Sequence, residues 1–279
     1  MTECALYGLV LAAAVAHAIW NAVVKSADDR LLLLSWIRLI GLLLGLVVLP
    51  FVEPPARASW PWLIAAAAAH YVYFALLIRS YSLGDLSHVY PIARGLGPLL
   101  LAAAAFILLG ESLTLLQLAA VASIAGGLLA LVLGRHVGKD GTAFAVVTGV
   151  SIAVYSFLGG AGVRESDSVF GFAACLEILT GVGMVAFGFA RRRTKLAAFL
   201  RGQGAVATGA GAIAVGGYLA YLFCATLMPL ATVAAVRESS VIFGAVIGAV
   251  FLKERFGPRR LIAAMLVTAG VVGLALFGA

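Results

Sequence analysis

Apolar residues run along this chain in blocks about twenty long, and polar residues are squeezed into the short gaps between them. Ten blocks can be read, at 5–24, 31–51, 60–81, 86–109, 114–134, 142–162, 168–190, 205–227, 230–252 and 260–278. Each is close to the roughly 20 residues a helix needs to cross the hydrocarbon of a bilayer. None alternates with the two-residue period of a barrel strand, and backbone groups in lipid must be satisfied within their own segment, so the blocks predict helices. The expectation is an all-α integral membrane protein of ten transmembrane helices, with little chain left for a soluble domain.

Composition supports this reading. The 279 residues are 63% hydrophobic and 11% charged, too little polar surface to cover a water-soluble globule of that size. The net charge of +7 does not mark a nucleic-acid binder, because the cations sit in the gaps and at block ends and build no extended basic face. They report topology instead. Counting from the N-terminus, the odd-numbered gaps and their edges hold Lys25, Arg30, Arg79, Arg135, Lys139, Arg191, Arg192, Arg193, Lys195, Arg201, Lys253, Arg255, Arg259 and Arg260, whereas the even ones hold Arg57 and Arg164. The positive-inside rule then puts the odd gaps in the cytoplasm and both termini outside. The first block ends at Ala16-His17-Ala18, which has the small residues of a cleavage site, but Glu3 and no Lys or Arg precede it, so a retained helix is expected rather than a signal peptide. Cys4, Cys175 and Cys224 lie in separate blocks without pair spacing and read as packing residues. With no phosphate-cradling glycine loop, Walker-type lysine or acidic metal cluster, neither ATP-driven pumping nor a metal or other cofactor is expected.

The chain also repeats itself. At an offset of 143, Arg94 matches Arg237, Ala102 matches Ala245, Leu109 matches Leu252, Glu111 matches Glu254, Leu118 matches Leu261 and Gly127 matches Gly270. The early blocks align at 139, setting Lys25 against Arg164, Asp28 against Asp167 and Arg38 against Glu177. Five blocks per copy is an odd number, so two copies joined end to end cross the membrane in opposite senses. A five-plus-five inverted repeat follows, with halves 1–137 and 138–279.

Each half closes on a short signature. The first has Leu108-Leu109-Gly110-Glu111-Ser112-Leu113-Thr114 followed by Gly126-Gly127, and the second has Phe251-Leu252-Lys253-Glu254-Arg255-Phe256 followed by Ala269-Gly270. With ten short-looped helices in two halves, the chain resembles the EamA branch of the drug/metabolite transporter superfamily over essentially its whole length. The resemblance implies secondary transport of small metabolites, often export of amino acids or drug-like compounds, by alternating access around a central cavity lined by both halves. It also implies cytoplasmic termini, opposite to the loop count.

The candidate chemistry begins with Arg94 and Arg237, two turns into their helices, where an ionised guanidinium is costly unless it meets a cavity or a partner. Pro91 and Pro98 around Arg94 predict an interrupted or kinked fourth helix, the usual setting of a transporter's site. The two cations suit an anionic group held by bidentate hydrogen bonds; the competing role is structural, against backbone carbonyls or an acid such as Glu238 or Glu177. His17, Trp20, Asn21, Tyr73 and Tyr221 complete the expected cavity lining, with His70, Phe74, His88, Tyr90, Tyr155 and Tyr218 as further polar and aromatic surface. Glu177 and His17 are the candidates for proton coupling. Arg38 and Glu177 stand at matching positions and are expected either to pair or to face an aqueous vestibule. Glu111 and Glu254 read as caps of the helix that follows each of them. Gly41 with Gly45, and Gly244 with Gly248, are expected to let helices approach closely.

The function expected is therefore secondary transport of a small amino acid-like, anionic or drug-like metabolite across an inner membrane, outward rather than inward. The partners are the solute, the bilayer and a candidate coupling proton; nucleic acid is not among them. The alternatives are an integral membrane enzyme, for which His17, His70, His88 and His136 are too dispersed, and a non-transporting sensor or assembly partner. The sequence does not set the oligomeric state.

Overall fold

A computed structural model of the chain describes residues 2–83, 86–130, 139–243 and 258–277. Among them the regular structure is helical throughout: α1 (Glu3–Ser26), α2 (Arg30–Val48), α3 (Trp60–Leu83), α4 (Leu86–Leu109), α5 (Leu115–Ala130), α6 (Lys139–Arg164), α7 (Val169–Arg192), α8 (Leu196–Leu227), α9 (Leu230–Glu238) and α10 (Pro258–Phe277). Gly244, Gly248 and Glu254 lie outside the described residues, as do the side chains of Lys25, His88 and Tyr90.

Helix starts follow local chemistry. A helix leaves its first N–H groups without partners, and a short polar side chain just ahead of it can accept from them. Asp29 accepts from the Leu32 amide at 3.1 Å and so starts α2, and Ser168 accepts from the Gly171 amide at 3.1 Å and starts α7. Thr114 and Gln117 exchange side chain-to-amide bonds of 2.9 and 3.2 Å at the head of α5, a reciprocal capping box.

The distribution of side chains is that of a protein in lipid. Leu43, Leu46 and Val47 on α2, Phe106, Ile107 and Leu108 on α4, and Leu115 and Leu116 on α5 face outward. His70, Arg94, Thr148, Ser156, Glu177, Thr180, Thr232, Arg237 and Glu238 are buried. A water-soluble domain sorts its residues the other way; in hydrocarbon, polar groups gather inside where they can pair. Among the described residues five apolar stretches are long enough to cross a membrane: Glu3–Val24, Arg30–Phe51, Arg57–Ser80, Gly141–Arg164 and Val169–Leu227, the last covering α7 and α8 together. The chain is a multi-pass membrane protein.

Helices of the first half pack on helices of the second: α2 on α7, α5 on α10, α4 on α9, α3 on α6 and α7, α1 on α8 and α9, α4 on α6, and α2 on α8. Small residues set the closest approaches, as expected for Gly41 and Gly45. A Cβ on Gly45 would sit 2.7 Å from the Ala174 carbonyl, and one on Gly41 would overlap the Glu177 carboxylate at 2.1 Å. The two glycines that mark the sequence repeat serve the α5–α10 crossing, where a Cβ on Gly270 would stand 2.5 Å from the Ala120 carbonyl and one on Gly127 3.0 Å from that of Ala263. Across α3 and α7, the Tyr71 hydroxyl donates to the Leu179 carbonyl and accepts from the Gly183 amide, entering one i to i+4 step of α7.

Two expectations are corrected. Of the interruption or kink expected of the fourth helix, the interruption is not found: α4 is helical from Leu86 to Leu109. The break falls in the ninth, which stops at Glu238, turns at Ser239 with its amide donating to the Val236 carbonyl at 3.1 Å, and is helical again over 240–243. A serine there carries no backbone penalty of the proline kind, so the sequence gives no signal for it. Glu111 is also not the cap of the helix that follows it. Its Oε2 accepts from the Leu230 amide at 3.0 Å, at the start of α9, and its Oε1 meets Arg164 Nη1 at 2.5 Å. Thr114 and Gln117 already satisfy α5, which leaves the carboxylate free for an orphan amide of a distant helix.

Candidate functional site

The buried and half-buried charges around the cavity divide into three units according to what each guanidinium can reach. Arg94, on α4, is 1% exposed and its Nε lies 2.9 Å from Oε2 of Glu238, also 1% exposed, on α9. Its Nη2 donates to Ser240 Oγ at 3.3 Å. Arg38, on α2, donates from Nη1 to Glu177 Oε2 on α7 at 3.0 Å and lies over the Phe74 ring at 5.7 Å. Arg237, on α9, is 3% exposed, stands 4.1 Å above the Tyr221 ring and donates from Nη2 to Ser156 Oγ at 3.2 Å. Among the described residues no carboxylate comes within ion-pair distance of Arg237, and its buried Nε has no hydrogen-bond partner.

The repeat explains why the two matched arginines differ. Glu238, the partner of Arg94, corresponds to Gly95 at the same offset of 143 residues. Arg237 thus has no acid at the sequence position that matches Glu238. Arg38 and Glu177, by contrast, are each other's counterparts at 139 and carry opposite charges, so their juxtaposition neutralises both.

A central cavity lies between the halves, with about 60 Å³ open to the centre of a water-sized molecule. From the first half it is lined by Ala13, His17 and Trp20 of α1, Arg38 of α2, and His70, Tyr73 and Phe74 of α3. The second half contributes Tyr155 of α6, Leu176, Glu177 and Thr180 of α7, Ala214, Gly217 and Tyr218 of α8, and Arg237 of α9. The aromatic wall is continuous: His70 lies 4.3 Å from Tyr155 and 5.6 Å from Tyr218, and Tyr73 lies 5.0 Å from Tyr155 between ring centroids. His70 Nδ1 is 2.7 Å from the Ala66 carbonyl, which can only accept, so this nitrogen carries the proton and Nε2 is left for other contacts. Among the described residues two more buried polar atoms of the lining have no hydrogen-bond partner, His17 Nε2 and the Tyr218 hydroxyl. Among the described residues no three His, Cys, Asp or Glu side chains gather to hold a metal ion.

Of the residues read from the sequence as substrate contacts, His17, Trp20, Tyr73 and Arg237 line the cavity. Arg94, Asn21 and Tyr221 do not. Arg94 is taken up by Glu238; the Asn21 side-chain amide donates to the His17 carbonyl at 2.8 Å; and Tyr221 is wholly buried beneath Arg237, with its hydroxyl donating to the Ser156 carbonyl at 3.1 Å. Glu177 lines the cavity while paired with Arg38. Thr180 escaped the sequence reading, whereas Arg38 meets both of its expected alternatives, pairing with Glu177 and lining the cavity. Helical spacing places Thr180 next to Glu177 on one face of α7, which is the signal that could have found it.

The Arg38–Glu177 contact depends on Gly41 having no side chain. Gly41→Ala is expected to push the Glu177 carboxylate off Arg38 and to destabilise the chain by about 1–3 kcal/mol, as overpacking does. Thermal unfolding in detergent checks this, and an unchanged midpoint would mean that the pair shifts without cost.

A lipid-facing apolar exterior, a polar interior and a cavity between two helical halves define a polytopic membrane protein. Residues 140–276, the second half of the chain, match the EamA-like transporter family, and the chain is of the EamA type within the drug/metabolite transporter superfamily. A crystal structure of 16% sequence identity superimposes with a TM-score of 0.75 over 99% of this chain and 97% of that one, a likeness of fold alone. None of the curated proteins compared with the chain matches it.

Proposed function

We propose that this chain is a secondary transporter that moves a small metabolite across the inner membrane by alternating access, with the central cavity as its binding site. Export is the direction the family resemblance favours. The observation that carries the reading is the cavity itself, walled by three helices of the first half and four of the second, whose lining residues include a buried cation and side chains with polar atoms that find no hydrogen-bond partner among the described residues. A five-plus-five inverted repeat fits the packing. Exchanging each helix for the one five further along turns α1–α8 into α3–α6, α1–α9 into α4–α6 and α2–α8 into α3–α7, all of them contacts made in the molecule. Two bundles related in this way have two near-equivalent ways of rocking about a fixed central site.

At one membrane face the halves are locked. Arg164, at the end of α6, donates from Nε to the Ala225 carbonyl at 2.8 Å and from Nη2 to that of Met228 at 2.9 Å, while Nη1 holds Glu111, which holds the start of α9. Opening the cavity toward this face has to break that cluster. Glu111→Gln keeps the shape and weakens the charge-assisted bonds. In a background without Cys4, Cys175 and Cys224, a cysteine at Ala214→Cys is expected to react several-fold faster with an impermeant maleimide from this face, a shift of about 1 kcal/mol in the opening equilibrium. An unchanged rate would make the cluster a fixed anchor.

Counterflow in proteoliposomes tests the function. With liposomes preloaded with amino acids, aromatic and aliphatic carboxylates or organic cations in turn, at least one labelled solute is expected to accumulate transiently and saturably. Failure of every solute with folded protein overturns the transport reading.

A further inference from the structure

We infer that the solute is a small aromatic monocarboxylate. This rests on the transport reading and names its cargo. Charge selects the head group. Among the described residues, and with His17 and His70 neutral, the charged side chains in or beside the cavity are Arg38, Arg94, Arg237, Glu177 and Glu238, and three cations against two anions leave one positive charge. Arg94–Glu238 and Arg38–Glu177 are already closed pairs, so the excess resides on Arg237. A buried uncompensated charge is costly, and an occupant that supplies one negative charge relieves it. A cation would add to the excess. A dianion would reverse it. A zwitterion would leave it in place, because its ammonium has no carboxylate to meet other than one that Arg38 holds at 3.0 Å.

Geometry selects a carboxylate. The Arg237 plane is supported from below by the Tyr221 ring at 4.1 Å and anchored by Nη2 on Ser156, and Nε remains to donate. Among the described residues the Tyr218 hydroxyl is a second buried donor without an acceptor, and His17 Nε2 is a third buried polar atom without a partner. A carboxylate, with two acceptor oxygens sharing one charge, suits a set of donors of this kind.

Shape selects an aromatic body. Trp20, His70, Tyr73, Phe74, Tyr155 and Tyr218 form the wall, and flat rings pack on such surfaces edge-on or offset. The space of about 60 Å³ open to the centre of a water-sized molecule leaves room for a small solute.

The test uses the purified full chain with benzoate, its neutral isostere benzamide, phenylalanine and benzylamine. Calorimetric titration is expected to give benzoate an affinity at least about tenfold above each of the others. Arg237→Gln should erase the preference of benzoate over benzamide, and Arg237→Lys should keep part of it. Tyr218→Phe, which removes one hydroxyl and keeps the ring, should weaken benzoate several-fold and leave benzamide less affected, so the proposal is testable even if the arginine variants do not fold. Benzamide or phenylalanine binding as tightly as benzoate, or no binding by benzoate, overturns it. Counterflow separates this proposal from the one beneath it. If phenylalanine or benzylamine exchanges and benzoate does not, the substrate class is wrong and transport stands; if benzoate binds selectively and nothing exchanges, the chemistry of the site stands and transport does not.

Discussion

Arg94→Met destabilises the chain by about 3–5 kcal/mol, because it leaves the Glu238 carboxylate buried without its counterion. Both groups are 1% exposed, so water cannot compensate. The loss is read as a fall in the thermal or denaturant midpoint of the purified protein. Adding Glu238→Leu to the same chain recovers the larger part, since a buried ion pair replaced by apolar residues of similar size is close to neutral while a broken pair is not. A double-mutant cycle gives the coupling directly. If Arg94→Met alone leaves the midpoint unchanged, Arg94 and Glu238 are not a mutually dependent pair.

Arg237→Gln behaves in the opposite way. It removes a cation that has no carboxylate partner among the described residues, so no acid is stranded and the empty protein is expected to keep or slightly raise its midpoint. Transport of an anionic solute should fall by about tenfold or more, because the charge that draws the solute into the cavity is gone. The two arginines share one position in the sequence repeat, yet one substitution strikes stability and the other strikes transport. The difference lies in a single site, Glu238 in the second half against Gly95 in the first.

That site marks the boundary of what the sequence reveals. Helix positions were legible because lipid imposes a coarse rule, a run of apolar residues of fixed length, and α3, α4 and α10 begin or end within a few residues of their blocks. Family membership was legible in the turn signatures, and the match over residues 140–276 agrees. The Arg38–Glu177 contact was half legible, as complementary charges at matched positions. Which of two equivalent arginines meets the cavity was not, because the answer depends on the rotation of α4 and α9 about their own axes, and a segment that is apolar on all sides carries little directional pattern to fix it. Glu111 shows the same limit. Its chemistry as a cap was read correctly, but the amide it caps lies 119 residues away, and local spacing does not reach that far. The break at Ser239 had no composition signal at all, while the prolines that did give one are accommodated within α4.

Counterflow measured side by side for the native chain, Arg237→Gln and the double variant Arg94→Met with Glu238→Leu tests the central claim most directly. The account predicts exchange by the native chain and by the double variant, and its loss in Arg237→Gln although that protein remains folded. Undiminished exchange by Arg237→Gln, with loss confined to a folded double variant, would contradict it and move the site from Arg237 to the Arg94–Glu238 pair.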